Sequence, residues 1–246
     1  MNTIEQTAKQ LRSLNLSCVA SELDTLLSRA NDNELSPLTF LQLLLDHEMQ
    51  GRNQKRIQAN RRKAGFPVQK HLEEFDYLFQ TTITKRQVNQ LLDFQFIDQR
   101  SNLVFIGKPG VGKTHLSIGI GQKALDAGYK VFFTNALALN EMLEIAELKG
   151  ELKKKITSLT KFDLLIIDEL GYLPMNKQGN YNLFQLINSM YEYRSLILTT
   201  NKEFTSWGEF FTDENVAVPI VDRLIHHSHI FMLGGDSYRL KQKLNG

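Results

Sequence analysis

The chain has 246 residues, 42% of them hydrophobic and 23% charged, with a formal net charge of +2. That length allows one or two domains, and the composition excludes collagenous or low-complexity material. A single cysteine, Cys18, excludes an internal disulfide framework, no apolar run reaches the about 18 residues of a bilayer span, and MNTIEQTAKQ lacks the layout of a signal peptide. The expectation is a soluble, cytoplasmic protein with no membrane partner.

The first third of the chain reads as helical. Val19, Leu23, Leu26 and Ala30 recur at helical spacing before NDNELS interrupts them. Ser36 followed by Pro37 is a helix start, a capping hydroxyl before a proline where no N–H is needed. Leu41, Leu44 and Leu45 are expected to form the buried stripe of that helix. Gly51 costs only about 1 kcal/mol in a helix, so the helix is expected to continue to Lys63, ahead of Gly65 and Pro67. The charge is concentrated here: the segment from Met49 to Lys70 carries +7 with no Asp or Glu, which leaves −5 for the rest of the chain. A localised cationic segment on an acidic body is a candidate nucleic-acid contact. Residues 1–65 are therefore expected to be a small helical domain, and residues 66–100, aromatic-rich at their start, a connector docked on the domain after it.

From Ser101 short apolar runs alternate with helical stretches. The candidate strands are 102–106, 130–134, 164–168, 195–200 and 229–233. Fully apolar strands separated in this way predict an α/β domain over 101–246, a five-stranded parallel sheet flanked by helices.

Gly107-Lys108-Pro109-Gly110-Val111-Gly112-Lys113-Thr114 matches the phosphate-loop pattern G-x-x-x-x-G-K-[ST] between a strand and a helix. Glycines let the backbone wrap a phosphate and aim N–H groups at it, and the helix N-terminus adds the positive end of a dipole. Lys113 is expected to bridge the terminal phosphates of ATP, and Thr114 to ligate Mg²⁺. The strand 164–168 ends in Asp168-Glu169, at the edge where such sheets bind ligands. Asp168 would hold Mg²⁺, directly or through water, and Glu169 would orient and deprotonate the attacking water. A small-molecule kinase has no need of that Glu, so the pair favours hydrolysis. If strand 195–200 lies between the first and third, Asn201 at its tip reaches the γ-phosphate and the water. Arg223 and Arg239 are candidates to spread transition-state charge, and spacing does not say whether Arg223 serves its own site or a neighbour's.

Taken in order, GKPGVGKTHL, LLIIDELGYLP, ILTTN, VDRLIHHSH and GDSYRLK resemble the AAA+ ATPases of the initiator and helicase-loader branch, and most closely the IstB transposition helpers. The resemblance extends to FLQLLLDHEMQGRNQKR, FDYLF and WGEFFTDE. It implies that residues 107–114 are Walker A, Asp168 and Glu169 Walker B, Asn201 the first sensor, Arg223 an arginine finger given to a neighbouring subunit and Arg239 the second sensor. It also implies an additional helix over 138–155, and ATP-dependent homo-oligomers on DNA that recruit or stimulate a transposase. Lys108 departs from the small residue that relatives often carry there.

In a helix, Arg52, Lys55 and Arg56 share a face, and Arg61, Arg62 and Lys63 extend the charge. With few aromatics among them, they suit sequence-independent contact with duplex phosphates rather than base stacking. Each such contact adds about −0.9 to the log–log salt slope. The leading expectation is a transposition ATPase of bacterial origin, associated with the nucleoid when on DNA. The alternative is a loader of a replicative helicase resembling DnaC. A small-molecule kinase would need an acceptor pocket and an arginine lid, for which no segment is suited, and a scaffold that binds ATP without hydrolysing it is disfavoured by Glu169.

Overall fold

The computed structural model describes residues 3–172, 176–209, 211 and 214–244. The LP of LGYLP and part of WGEFFTDE lie outside the described residues. The chain divides between Ala59 and Asn60 into two compact units.

The first unit is helical: α1 (Thr3–Ser13), α2 (Ser17–Asp32) and the part of α3 (Pro37–Lys63) up to Ala59. Its core joins Ala8, Val19, Ala20, Leu23 and Leu26, against which Leu11, Phe40, Leu43 and Leu44 pack. The Ser36 hydroxyl accepts from the Thr39 amide at 3.3 Å and starts α3. The expected stripe is corrected here: Leu41 and Leu45 are about half exposed, because α3 turns Phe40, Leu43 and Leu44 inward instead. Gly51 has a packing role that its helix propensity does not reveal, since a Cβ there would run into the Cys18 side chain. The α2–α3 approach also uses a buried charge. Glu48 accepts from the Cys18 and Val19 amides at 2.9 and 3.0 Å and from Arg52 Nε at 2.8 Å. It thus satisfies N–H groups at the start of α2 that have no partner within that helix.

In the second unit α3 ends at Gly65 (φ +71), and the Ala64 carbonyl accepts from the Phe133 amide at 2.7 Å. The connector holds a short 3₁₀ turn (Leu72–Glu74), then α4 (Lys85–Leu91), started by a Thr84–Gln87 capping box, and α5 (Gln95–Asp98). Leu72, Phe75, Ile83, Val88 and Phe96 are buried in one core with the sheet.

The sheet has five parallel strands in the order β2-β3-β4-β1-β5: β1 (Asn102–Gly107), β2 (Val131–Asn135), β3 (Leu164–Leu170), β4 (Ser195–Thr200) and β5 (Ser228–Leu233). The middles of β1 (103–106), β3 (164–167) and β4 (196–198) are apolar because each face has its own core. Leu103, Phe105, Leu164 and Ile166 join one cluster, and Val104, Ile106, Leu165 and Ile167 join the other. On the first side lies α6 (Lys113–Asp126); on the second lie α7 (Ala136–Leu148), α8 (Leu152–Leu159), α9 (Lys177–Met190) and α10 (Glu214–His226). The helix α11 (Tyr238–Leu244) comes after β5. The single helix expected over 138–155 is instead two, α7 and α8, separated at Gly150 (φ +68). No helix among the described residues is long and apolar enough to cross a membrane.

Candidate active site

The phosphate loop joins β1 to α6 on the C-terminal edge of the sheet. Gly110 (φ +85) and Gly112 (φ +100) are left-handed, a conformation that side chains disfavour. Both also sit against a neighbour: a Cβ on Gly110 would strike Ser237, and one on Gly112 would strike the Phe75 ring. Lys113 folds back over the loop, donating to the carbonyls of Gly107 at 2.6 Å and Lys108 at 2.9 Å. Burial pushes its pKa down and the Arg239 charge adds to that, against the opposing pull of Asp168 and Glu169. A cation held in this way gains from an anionic partner.

With β4 between β1 and β3, the ends of three strands converge on this loop. Asp168, nearly fully buried, accepts from Thr114 Oγ1 at 3.0 and 3.1 Å and from the Thr199 hydroxyl. The same Thr199 oxygen accepts the Glu169 amide at 2.9 Å. Glu169 is left-handed (φ +61) and interrupts the β3–β4 register between Ile167 and Leu170. The break leaves Asp168 facing Thr114 while the Glu169 side chain is exposed. A cleft of about 560 Å³, with Asn140 and Glu144 on its wall, opens at Glu169 and gives water access to it. Asn201 comes directly after β4, half-buried, with no hydrogen-bond partner for its Oδ1 among the described residues. Buried polar atoms without partners call for an explanation, and here the atom lies just beyond the strand between the phosphate loop and the acids.

Arg239 comes to this edge through the segment after β5. The Tyr238 amide donates to the Gly110 carbonyl at 3.0 Å, and the Arg239 charge acts on Lys113. Arg223 does not join them. It stands in the last turn of α10, donates to the Pro219 carbonyl at 3.1 Å, and lies over the rings of Phe184 at 5.2 Å and Tyr191 at 5.9 Å. The neighbouring Leu224 carbonyl accepts from Asn102 at the start of β1. The phosphate loop leaves the other end of that strand, roughly 16 Å away at 3.3 Å per residue. Thr199 was missed in the sequence; its only signal was the hydroxyl pair closing SLILTT.

The basic residues on α3 are all exposed. In the first unit, Arg52 is paired with Glu48 and Arg56 bonds to Asn53, while Lys55 has no ion pair among the described residues. In the second unit, Arg61 is paired with Asp126, and Arg62 and Lys63 have no ion pair among the described residues.

Comparison with known proteins adds to this geometry. The family model described as IstB-like ATP binding protein matches residues 9–246. An insertion sequence IS21 ATP-binding protein from Pseudomonas aeruginosa is 40% identical over 233 residues, 95% of this chain and 88% of the relative. One from IS5376 of Geobacillus stearothermophilus is 39% identical over 230 residues, 94% of this chain and 92% of the relative. Among solved structures, the DnaC helicase loader aligns with a TM-score of 0.51 at 22% identity, covering 61% of this chain and 92% of that one. AMPPCP-bound DnaA from Aquifex aeolicus aligns with a TM-score of 0.54 at 20% identity, covering 71% of this chain and 54% of that one. At these identities the structural likeness is one of fold.

Proposed function

Since this chain belongs to the IstB-like ATP-binding protein family and is an ATPase of the AAA+ P-loop type, we propose that it assembles on duplex DNA under the control of ATP and there recruits or stimulates a partner transposase. The observation that carries this reading is the position of Arg223, at the opposite end of β1 from its own phosphate loop. An arginine so placed is available to the nucleotide of an adjacent subunit, which makes ATP part of the subunit interface.

Within one chain, the loop 107–114 would cradle the β- and γ-phosphates, with its backbone N–H groups and the start of α6 facing the anion. Lys113 would exchange its carbonyl partners for phosphate oxygens. Thr114 and Asp168 offer a hydroxyl and a carboxylate within hydrogen-bond distance of each other, hard oxygen ligands that fit Mg²⁺. When bound, that ion would neutralise charge on the phosphates. Glu169 would orient a water and accept its proton, and the unpartnered Asn201 Oδ1 would help to hold that water. Arg239 would respond to the γ-phosphate in the same chain, and Arg223 would spread transition-state charge in the next.

Assembly then gathers many basic α3 segments onto one duplex and raises their effective concentration, and loss of the γ-phosphate loosens it. In a bacterial cell this would place the protein on nucleoid DNA. Sedimentation velocity of the wild type and Glu169→Gln with duplex DNA tests the scheme. Assemblies are expected in ATP, longer-lived in Glu169→Gln and weaker in ADP; monomers in every condition would rule it out. The α3 cations favour this over helicase loading, and stronger ATPase stimulation by double-stranded than by single-stranded DNA would separate the two.

A further inference from the structure

The connector that precedes β1 contains a polar side chain with little access to solvent, Gln80, at 4% exposure. Its Nε2 donates to the carbonyls of Val111 and Gly234, both at 3.0 Å. Its Oε1 accepts from the Thr82 amide at 3.1 Å and the Thr82 hydroxyl at 2.7 Å. Thr82 Oγ1 in turn accepts the Gly234 amide at 3.1 Å. These partners fix which way the amide points: two carbonyls can accept but not donate, and the Thr82 N–H can donate but not accept. Val111 belongs to the phosphate loop, and Gly234 opens the segment that carries Arg239.

That segment has little else to hold it. None of the residues 234–241 is buried. Its helix α11 has seven residues, too few to be stable alone in water. The strand before it, β5, is at the edge of the sheet, with Ile230 and Met232 about half exposed. The segment's other ties include the Tyr238 amide on Gly110, the Tyr238 ring 5.4 Å from that of Phe79, the close approach of Ser237 to Gly110, and Lys241, which pairs with Asp76 at 3.2 Å and lies 4.5 Å from the Phe79 ring centroid. The Gln80 bond to Val111 is buried and those to Gly234 and Thr82 are partly buried, and shielding from water makes a hydrogen bond stronger and its loss more costly.

We propose that Gln80 is a positioning residue that yokes the phosphate loop to the C-terminal segment, so that Arg239 reaches the nucleotide only while this buried amide holds both. The consequence for nucleotide discrimination rests on the reading of Arg239 as a sensor of the γ-phosphate; the docking of the segment does not.

Hydrogen–deuterium exchange on the full chain tests the docking. Gln80→Met keeps the length of the side chain and removes its donors and acceptor. Thr82→Val removes the Thr82 hydroxyl at an exposed position and serves as well if the first variant does not fold. Exchange across 234–241, the Tyr238 amide included, is expected to rise roughly tenfold or more in either variant, with β1, β3 and β4 as protected as in the wild type. A rise spread evenly over the sheet, or none in the segment, would overturn the proposal. The ratio of ATP to ADP affinity is then measured for Gln80→Met, Thr82→Val and Arg239→Ala. A ratio lowered in all three is expected. One lowered in Arg239→Ala alone would overturn the link from Gln80 to the nucleotide, whereas an unchanged ratio in Arg239→Ala would overturn the reading of Arg239 and leave exchange to judge Gln80.

Discussion

The hydroxyl of Thr199, on the strand beside β3, donates to the carboxylate of Asp168. Because that oxygen also accepts the Glu169 amide, one side chain on β4 sets both acidic residues, the proposed metal ligand and the proposed base. Thr199→Val keeps the shape and removes both bonds. Bonds to charged groups contribute about 1.5–3 kcal/mol, so turnover is expected to fall at least tenfold while ATP binding changes little. Comparing kcat with nucleotide affinity checks this; an equal loss in both would mean that the phosphate loop, rather than the acids, was disturbed.

Lys113 and Glu169 are expected to fail in different ways. Lys113→Ala removes the ammonium that sits over the loop carbonyls and should abolish nucleotide binding. Glu169→Gln keeps the exposed side chain's size and should still bind ATP, with hydrolysis reduced about 10²- to 10⁴-fold, the usual worth of a general base. Equilibrium binding of a fluorescent ATP analogue, set beside single-turnover hydrolysis, separates the two losses.

The range of each interaction decides whether the sequence reveals or hides it. The phosphate loop is contiguous, and five apolar runs are enough to announce a buried parallel sheet, so Gly107–Thr114, Asp168 and the strands were legible. Thr199 and Gln80 were not, because their roles lie in bonds to residues 31 and 154 positions away that exist only once the strand order is known. Helical periodicity located α3 but not its rotation: Leu41 and Leu45 satisfy the same spacing as Phe40, Leu43 and Leu44, and only the packing against Leu23 and Leu26 decides between them. Gly51 looked like a mild defect because the Cys18 side chain that it makes room for belongs to another helix.

Glu48 should make the stability of the chain depend on pH. Burial by itself would raise its pKa, but the Val19 amide, the Arg52 guanidinium and the Cys18 amide outweigh that and hold the carboxyl below its ordinary value. A carboxyl with a lower pKa when folded stabilises the fold above its unfolded value, and that contribution is lost as pH falls through the folded one. Glu48→Gln is expected to cost about 1–3 kcal/mol at neutral pH and, in thermal unfolding from pH 7 downward, to narrow its gap to the wild type below about pH 4.5. A gap that stays constant over that range would contradict the assignment.

The α3 cations should contribute unequally to DNA binding, since some are already paired. Arg61 is engaged by Asp126, whereas Arg62 and Lys63 have no ion pair among the described residues. Arg62→Ala and Lys63→Ala are therefore expected to weaken duplex binding more than Arg61→Ala, to the same degree on unrelated sequences. Each should also reduce the log–log salt slope by about 0.9. Titrations of labelled duplex from 50 to 200 mM salt, the range over which such contacts change affinity by about 10³-fold or more, would show it. A loss confined to one DNA sequence would point to base contacts instead.

Arg223 carries the assembly hypothesis and is the residue most able to break it. Its guanidinium rests on Phe184 and the Pro219 carbonyl, so Arg223→Ala leaves its own phosphate loop intact and should bind ATP normally while hydrolysing it about 10³-fold more slowly. Lys113→Ala has the complementary defect: it cannot hold ATP but keeps the finger. In a mixture, an Arg223→Ala subunit loaded with ATP can meet the arginine of a Lys113→Ala neighbour, and ATPase activity should return in proportion to such junctions. Neither variant can contribute to that signal alone, so recovery requires a site built from two chains. Full turnover by Arg223→Ala without a partner would remove the arginine from catalysis, and with it the reason for ATP to join subunits.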